Sequence, residues 1–259
     1  MNEVNKTLYI PLFGKSYVSK KGIILEDKKA EEIWQRAGFE LKGKSKSKWL
    51  AYYMGMRARV FDDWLRQAMK ENKNAAVIHL GAGLDSRAER VGTGTHSWYD
   101  VDFPQVIEER KKHFSETDSY KMLSFDVRDK ALFDSVSERD AIIVMEGISM
   151  YLSPEELKGL FESICRHFER VLLLMDCYTT FAAKASKFKN PINDVGVTKV
   201  YGIDEPRAFE RDGLVLLEEK TMTPTYLIDE LLGMEKSIFS KVYGGKMSRK
   251  LYKLYEYTK

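Results

Sequence analysis

Two glycines and four acidic residues fall at matching points along the middle of the chain. Gly81 and Gly83 follow the apolar run "VIHL", and Asp102, Asp126, Glu146 and Asp176 each close a later one. Glycine lets a backbone turn tightly and approach a ligand with no Cβ in the way. An acid roughly 20 residues after such a turn commonly accepts from ribose hydroxyls. A NAD site would carry a third glycine where this chain has Ser86, so that a helix packs closely under a pyrophosphate. Acids at 126 and 146 would also repel a phosphate chain. S-Adenosylmethionine (SAM) has no pyrophosphate. It carries a sulfonium, an ammonium and a carboxylate, so its site calls for acids plus a separate cation. On that reading Asp102 takes the ribose, Asp126 accepts from the adenine amino group and Glu146 lies near the methionine ammonium. Taken singly, each acid also reads as a helix N-cap and the glycine pair as a plain turn; their recurrence on successive runs carries the inference.

Residues at run ends share a site only if the runs are strands of one sheet. Strand-length runs occur at 75–80, 97–102, 120–126, 141–146 and 170–176, and several are nearly continuously apolar. That suits parallel strands buried on both faces. Helical segments fall between them, the clearest being "SPEELKGLFESICRHF", with Ser153 as N-cap, Pro154 at N1 and Glu156 completing a capping box. Leu157, Leu160, Phe161, Ile164 and Phe168 follow on one face. The alternation predicts a doubly wound α/β fold, whose ligands bind beyond the carboxyl ends of the strands. Strand candidates at 214–222 and 250–257 add an antiparallel edge, making a mostly parallel sheet of seven strands. Before residue 75 the pattern is helical: "DKKAEEIWQRAGF", then "WLAYYMGMRARVFDDWLRQAMK" with Tyr53, Met56, Val60, Phe61, Trp64 and Ala68 on one apolar side. The chain reads as one domain over 1–259. It comprises a helical cap (1–74), a ligand-binding core (75–177), a lid insertion (178–210) containing the loop "NPINDVG", and C-terminal strands (211–259).

Composition narrows the partners. Hydrophobic residues make up 44% and charged residues 31%, which suits a packed core and argues against disorder. The net charge of +3 gives no electrostatic case for nucleic acid. The one basic cluster, "KGKSKSK", reads as a solvated loop. Cys165 and Cys177 make neither a disulfide framework nor a zinc motif, so no metal is expected and a reducing cytoplasm is the natural compartment. No apolar run has the length of a signal-peptide core or a membrane span. Nothing specifies an oligomeric state.

The segments "VIHLGAGLDSRAERV", "WYDVDFPQVIEERK", "SFDVRD" and "EGISMYLSPEEL", in this order and spacing, resemble the leucine carboxyl methyltransferase family, especially its bacterial tetracenomycin-type O-methyltransferases. The resemblance begins near residue 8 with "IPLFGKSYVSKKGIILEDKKA". It implies a Rossmann-like class I methyltransferase using SAM and releasing S-adenosylhomocysteine (SAH). By position, it implies that Gly81 and Gly83 line the methionine moiety, Asp102 binds the ribose, Asp126 and the backbone of Val127 hold adenine, and Glu146 and Gly147 pack near the methionine. It also implies that Arg59 pairs with the SAM carboxylate, where a bidentate guanidinium fits, and that Lys20 lies near the active site. On the residues alone, Arg59 reads rather as a helical pair with Asp62 or Asp63, and Lys21 as well as Lys20 suits the lysine position. His79 reads as a buried, hydrogen-bonded histidine rather than a catalytic base.

Methyl transfer from a sulfonium is an in-line displacement, aided most by alignment at short range. A carboxylate acceptor is already ionised near neutral pH, whereas a phenol or alcohol needs a base. No His–Asp pair suited to that task stands out. Tyr151 is the candidate for orienting a small-molecule acceptor, its alternative being a tyrosine packed under the capped helix; Asp176 and Tyr178 are further candidates for the pocket wall. The expected activity is methyl transfer from SAM to a carboxylate or hydroxyl of a small molecule. The alternatives are a protein C-terminal carboxyl methyltransferase, a NAD-type oxidoreductase and a SAM-binding protein without catalysis.

Overall fold

In a computed structural model, residues 3–38, 41, 43–189, 200–245 and 250–259 are described. The expected "NPINDVG" loop lies outside them. Three helices come first: α1 (Glu3–Lys21), α2 (Lys28–Arg36) and α3 (Lys48–Glu71). The core follows as β1 (Ala76–Leu80), α4 (Arg87–Val91), β2 (Trp98–Asp102), α5 (Pro104–Arg110), β3 (Tyr120–Ser124), β4 (Asp140–Met145), α6 (Pro154–His167) and β5 (Arg170–Tyr178). The chain continues through α7 (Thr180–Lys189), β6 (Val215–Lys220), α8 (Thr225–Ile228), α9 (Gly233–Val242) and β7 (Tyr252–Thr258).

The seven strands form one sheet in the order β3-β2-β1-β4-β5-β7-β6. β1 to β5 are parallel, and β7 runs antiparallel between β5 and β6. All five residues of β1 are buried, as expected of a central strand covered on both faces. Winding reverses between β1 and β4, which opens a crevice at the carboxyl ends of these two strands. Register then aligns the tips: Leu80 pairs with Val101 on one side and Met145 on the other. The capping box of α6 forms as the spacing predicts, and Leu157, Leu160, Phe161 and Ile164 are buried beneath it.

The sequence pattern picks out α2 and α3 but not α1, which carries Pro11 in its interior. α1 is held by packing against α3: a Cβ on Gly55 would lie 2.7 Å from Val18 Cγ2, so the two helices approach closely. α3 is therefore buried on more than the expected side. Met56, Val60, Phe61 and Ala68 are buried, while Tyr53 and Trp64 are only half-buried. Arg57 and Asp62 of the same helix are buried as well. No helix among the described residues is long and apolar enough to cross a membrane.

Candidate active site

A cavity of about 430 Å³ lies beyond the ends of β1, β2 and β4, and α1 and α3 cover its other side. Gly81, Gly83, Asp102, Asp126, Val127, Glu146, Gly147 and Tyr151 all line it. The structure thus gathers eight of the ten residues assigned cofactor-binding or acceptor-orienting roles from the sequence. Lys20 and Arg59 are not among them.

The sheet side is built from backbone. Gly81 has φ +70°, and a Cβ there would stand 2.0 Å from Ile148 Cγ2. The position therefore admits glycine on both conformational and steric grounds. The N–H of Gly83 donates to Asp102 Oδ2 at 2.8 Å, and the N–H of Phe103 donates to Oδ1 at 2.8 Å. The carboxylate is thus fixed at the cavity edge. Burial raises its pKa, although these two donors oppose the shift. Asp126 is half-buried and accepts from the backbone and guanidinium of Arg128, which lowers its pKa.

The helical side is built from charge. Arg57 Nε donates to Glu146 Oε1 at 2.8 Å, and its Nη1 to Asp176 Oδ2 at 3.1 Å and Tyr252 Oη at 3.2 Å. Arg87 donates to the other oxygen of Glu146 and, at 2.7 Å, to Asp62 Oδ1. Burial works against a charge on Glu146, but Arg57 and Arg87 bring its pKa from an ordinary 4.5 down to about 2. Lys15 of α1 pairs with Asp85 at 2.9 Å. Asp85 also meets Arg90 at 2.7 Å and Arg87 at 3.4 Å. Despite its burial these cations hold its carboxyl well below the usual range.

Several expectations are revised. Arg59 donates to Asp63 at 2.9 Å and to the carbonyl of Ile24 at 3.0 Å, so it forms the helical pair and points to a separate polar cleft with Glu26 and Arg66. Lys20 is exposed. Asp176 does not end β5, which runs on to Tyr178; it pairs in register with Leu254 of β7 and is buried behind Tyr252 and Gly147, whose N–H donates to it at 2.7 Å. Tyr178 does line the cavity, with its ring 4.9 Å from that of Tyr252. Tyr151 follows β4 in a short turn, with 37% of its surface exposed, and burial of the remainder raises the pKa of its phenol. His79 is buried, and its Nε2 lies 3.2 Å from Arg87 Nη1. A guanidinium can only donate, so this nitrogen accepts and the proton is assigned to Nδ1, 3.5 Å from Asp100 Oδ1.

Arg57 and Lys15 are the site residues that sequence reasoning missed. Arg57 lies two positions before Arg59 in "RARVFDD", and residues two apart on a helix face nearly opposite ways. Only the packing of α3 against the sheet decides which arginine enters the cavity. Lys15 gave no signal apart from being one more lysine in a lysine-rich segment.

A doubly wound sheet of seven strands with an antiparallel β7 between β5 and β6, a glycine turn after its first strand and an acid closing its second match the class I SAM-dependent methyltransferases. The family model of leucine carboxyl methyltransferase matches residues 12–165, more than half of the chain, and the chain belongs to that family. It is 28% identical over 239 residues to the tetracenomycin polyketide synthesis O-methyltransferase TcmP of Streptomyces glaucescens, covering 91% of this chain and 88% of that protein. It is 25% identical to the S-adenosyl-L-methionine-dependent methyltransferase dpfgK of Gibberella zeae, covering 79% and 77%. Among solved structures, a DUF574 family protein from Streptomyces avermitilis superposes with a TM-score of 0.59 at 12% identity, over 89% of this chain and 90% of that one. The magnesium protoporphyrin IX methyltransferase of Synechocystis with bound SAH gives 0.52 at 10% identity, over 96% and 99%. These two likenesses bear on the fold.

Proposed function

We propose that the chain transfers a methyl group from SAM to an oxygen nucleophile of a small molecule, and that this nucleophile is a carboxylate rather than a hydroxyl. The observation carrying the first part is the pairing of two unlike walls around one cavity: a glycine turn with Asp102 on the sheet side, and Lys15 and Arg57 on the helical side. A tight glycine turn that Ile148 packs against, an anchored acid and two cations match the adenosyl, ribose and amino-acid parts of SAM. Gly81 and Gly83 line the methionine moiety, Asp102 takes the ribose, Asp126 and Val127 flank the adenine, and Glu146 and Gly147 pack beside the amino-acid end. Arg57 replaces Arg59 as the cation for the carboxylate, and Lys15 replaces Lys20 as the lysine at the site. Helices α1 and α3 act as the cap that excludes water.

When bound, SAM supplies an electrophilic methyl on a sulfonium. The protein aligns the acceptor and keeps the cavity dry. Among the described wall residues each candidate base is engaged. Glu146 is held by two arginines, Asp85 by three cations, Asp102 by two backbone donors, Asp126 by Arg128 and His79 Nε2 by Arg87. A hydroxyl would therefore find only weak, already engaged bases to take its proton, whereas a carboxylate arrives ionised. Tyr151 and Tyr178 orient it as donors. Both cysteines are buried and unpaired, which suits a reducing compartment such as the cytoplasm.

Calorimetry with SAH and with NADH, followed by methyl transfer from labelled SAM to carboxylic acids, phenols, alcohols and a peptide C-terminus, tests this. SAH should bind, and small carboxylic acids should be methylated at neutral pH. Binding of NADH instead, or transfer confined to alcohols, would overturn it.

A further inference from the structure

Beneath the glycine turn lies a buried cation that the proposed chemistry does not use. Arg110 is the last residue of α5 and is fully buried. Its Nη1 donates to the carbonyl of Gly83 at 2.8 Å and, more loosely, to that of Ala82 at 3.5 Å. Its Nη2 donates to Asp100 Oδ2 and to Tyr120 Oη at 3.0 Å. Tyr120 Oη passes a hydrogen bond to the same Asp100 oxygen at 2.7 Å, while Trp98 Nε1 donates to the other at 2.9 Å. The ring of Phe114 lies 4.3 Å from the guanidinium. One side chain thus ties the turn after β1 to β2 and β3.

The turn has a physical need for this. Its N–H groups are already engaged: Gly81 and Ala82 donate to the carbonyl of Val101 at 2.8 and 3.1 Å, and Gly83 donates to Asp102. The carbonyl of Ala82 and the N–H of Gly83 belong to one peptide plane. Asp102 grips that plane at its N–H end, while the Asp85 N–H at 3.0 Å and, more loosely, Arg110 hold its carbonyl end. The next plane, carrying the Gly83 carbonyl, is held by Arg110 alone among the hydrogen bonds found for that oxygen. Gly83 sits at φ +53° and has no Cβ to restrain it, so the plane turns easily once that donor is gone. Removing Arg110 would release this plane, the immediate neighbour of the one that Asp102 grips, and loosen the turn beside Asp102.

We infer that Arg110 is a positioning residue for the cofactor turn: by capturing the carbonyl of Gly83 from beneath, it sets the direction of that peptide plane and steadies the Gly83 N–H that holds Asp102 at the cavity edge. The inference rests on the reading of this turn and Asp102 as the SAM site. It requires arginine, because separate nitrogens of one guanidinium reach Gly83 and Asp100 together, which a single ammonium does not.

The experiment compares wild type, Arg110→Lys and a control, Ile164→Ala in the core beneath α6, using SAH calorimetry and peptide-resolved hydrogen exchange without ligand. Arg110→Lys should weaken SAH by on the order of tenfold, as expected for loss of a charged hydrogen bond, and should speed exchange in peptides covering 81–86 but not in those covering β4. Ile164→Ala should lower the melting temperature while leaving SAH affinity and exchange at 81–86 unchanged. Should Arg110→Lys fail to fold, the charge-neutral pair Arg110→Gln with Asp100→Asn replaces it, with the same expectation. SAH affinity within twofold of wild type and unchanged exchange at 81–86 would overturn the inference. Failure of wild type to bind SAH would instead overturn the cofactor reading, and exchange at 81–86 would still decide whether Arg110 holds the turn.

Discussion

The two walls of the cavity hold their residues by different means. On the sheet side the backbone ladder does the work: β1 pairs with β2 and β4 so that Leu80 stands beside Val101 and Met145, and Gly81, Asp102 and Glu146 follow within a residue of those tips. On the helical side nothing repeats. Lys15 and Arg57 are held by ion pairs to Asp85, Glu146 and Asp176, all from other elements. A ladder keeps its register when one side chain is lost. A buried ion pair that loses one partner leaves the other charge stranded, at a cost of several kcal/mol. The helical wall should therefore couple ligand binding to stability and to pH, and the sheet wall should affect the ligand more than the fold.

The largest effect that would break this contrast is expected at Arg57. Arg57→Met leaves Glu146 with Arg87 alone and strips Asp176 of its cation, so thermal denaturation should show a loss of about 3–5 kcal/mol. The pH dependence has a definite sign. Because the folded pKa of Glu146 is depressed from 4.5 to about 2, its pairing stabilises the fold above 4.5 and that contribution is lost as pH falls toward 2. In Arg57→Met the loss should begin at higher pH, read as an acid-unfolding midpoint displaced upward. An unchanged midpoint would mean that Arg57 does not hold Glu146 ionised.

Gly81→Ala comes next, as the one sheet-wall change expected to touch both ligand and fold. The left-handed backbone costs an alanine about 1–2 kcal/mol, and its Cβ would meet Ile148. Calorimetry should find SAH binding lost; retained affinity would show that the turn is not part of the site. Asp102→Ala should weaken SAH by about 1–3 kcal/mol, the cost of losing a charged hydrogen-bonding partner, with a smaller change in melting temperature than Arg57→Met. Smallest of all, Arg59→Ala should leave SAH affinity unchanged and move stability by no more than about 0.5 kcal/mol, as for a half-exposed i,i+4 pair. Weakened SAH binding in Arg59→Ala would restore the cation assignment made by resemblance and sink the one made from geometry.

How much of this was legible follows the same division. Strands announce themselves through local hydrophobicity, and each of the seven lies where its apolar run predicts. The α6 capping box likewise needs only Ser153, Pro154 and Glu156 in their order. Asp176 is not a strand tip because β5 extends to Tyr178, held there by β7, whose Tyr252 bonds Asp176 from 76 residues away. α1 was missed because Pro11 interrupts its pattern and its stability comes from α3. Both errors involve partners distant in sequence.

The sequence by itself determined the sheet, the glycine turn and the acids at the tips of β2 and β4, because strand periodicity and a tight turn are written in neighbouring residues. Only the tertiary structure decided that Arg57 rather than Arg59 faces the cavity, that Lys15 joins it, and that Arg110 lies under the turn. A helix offers its side chains in every direction around its axis, and which of them meet the sheet is set by how the whole layer packs.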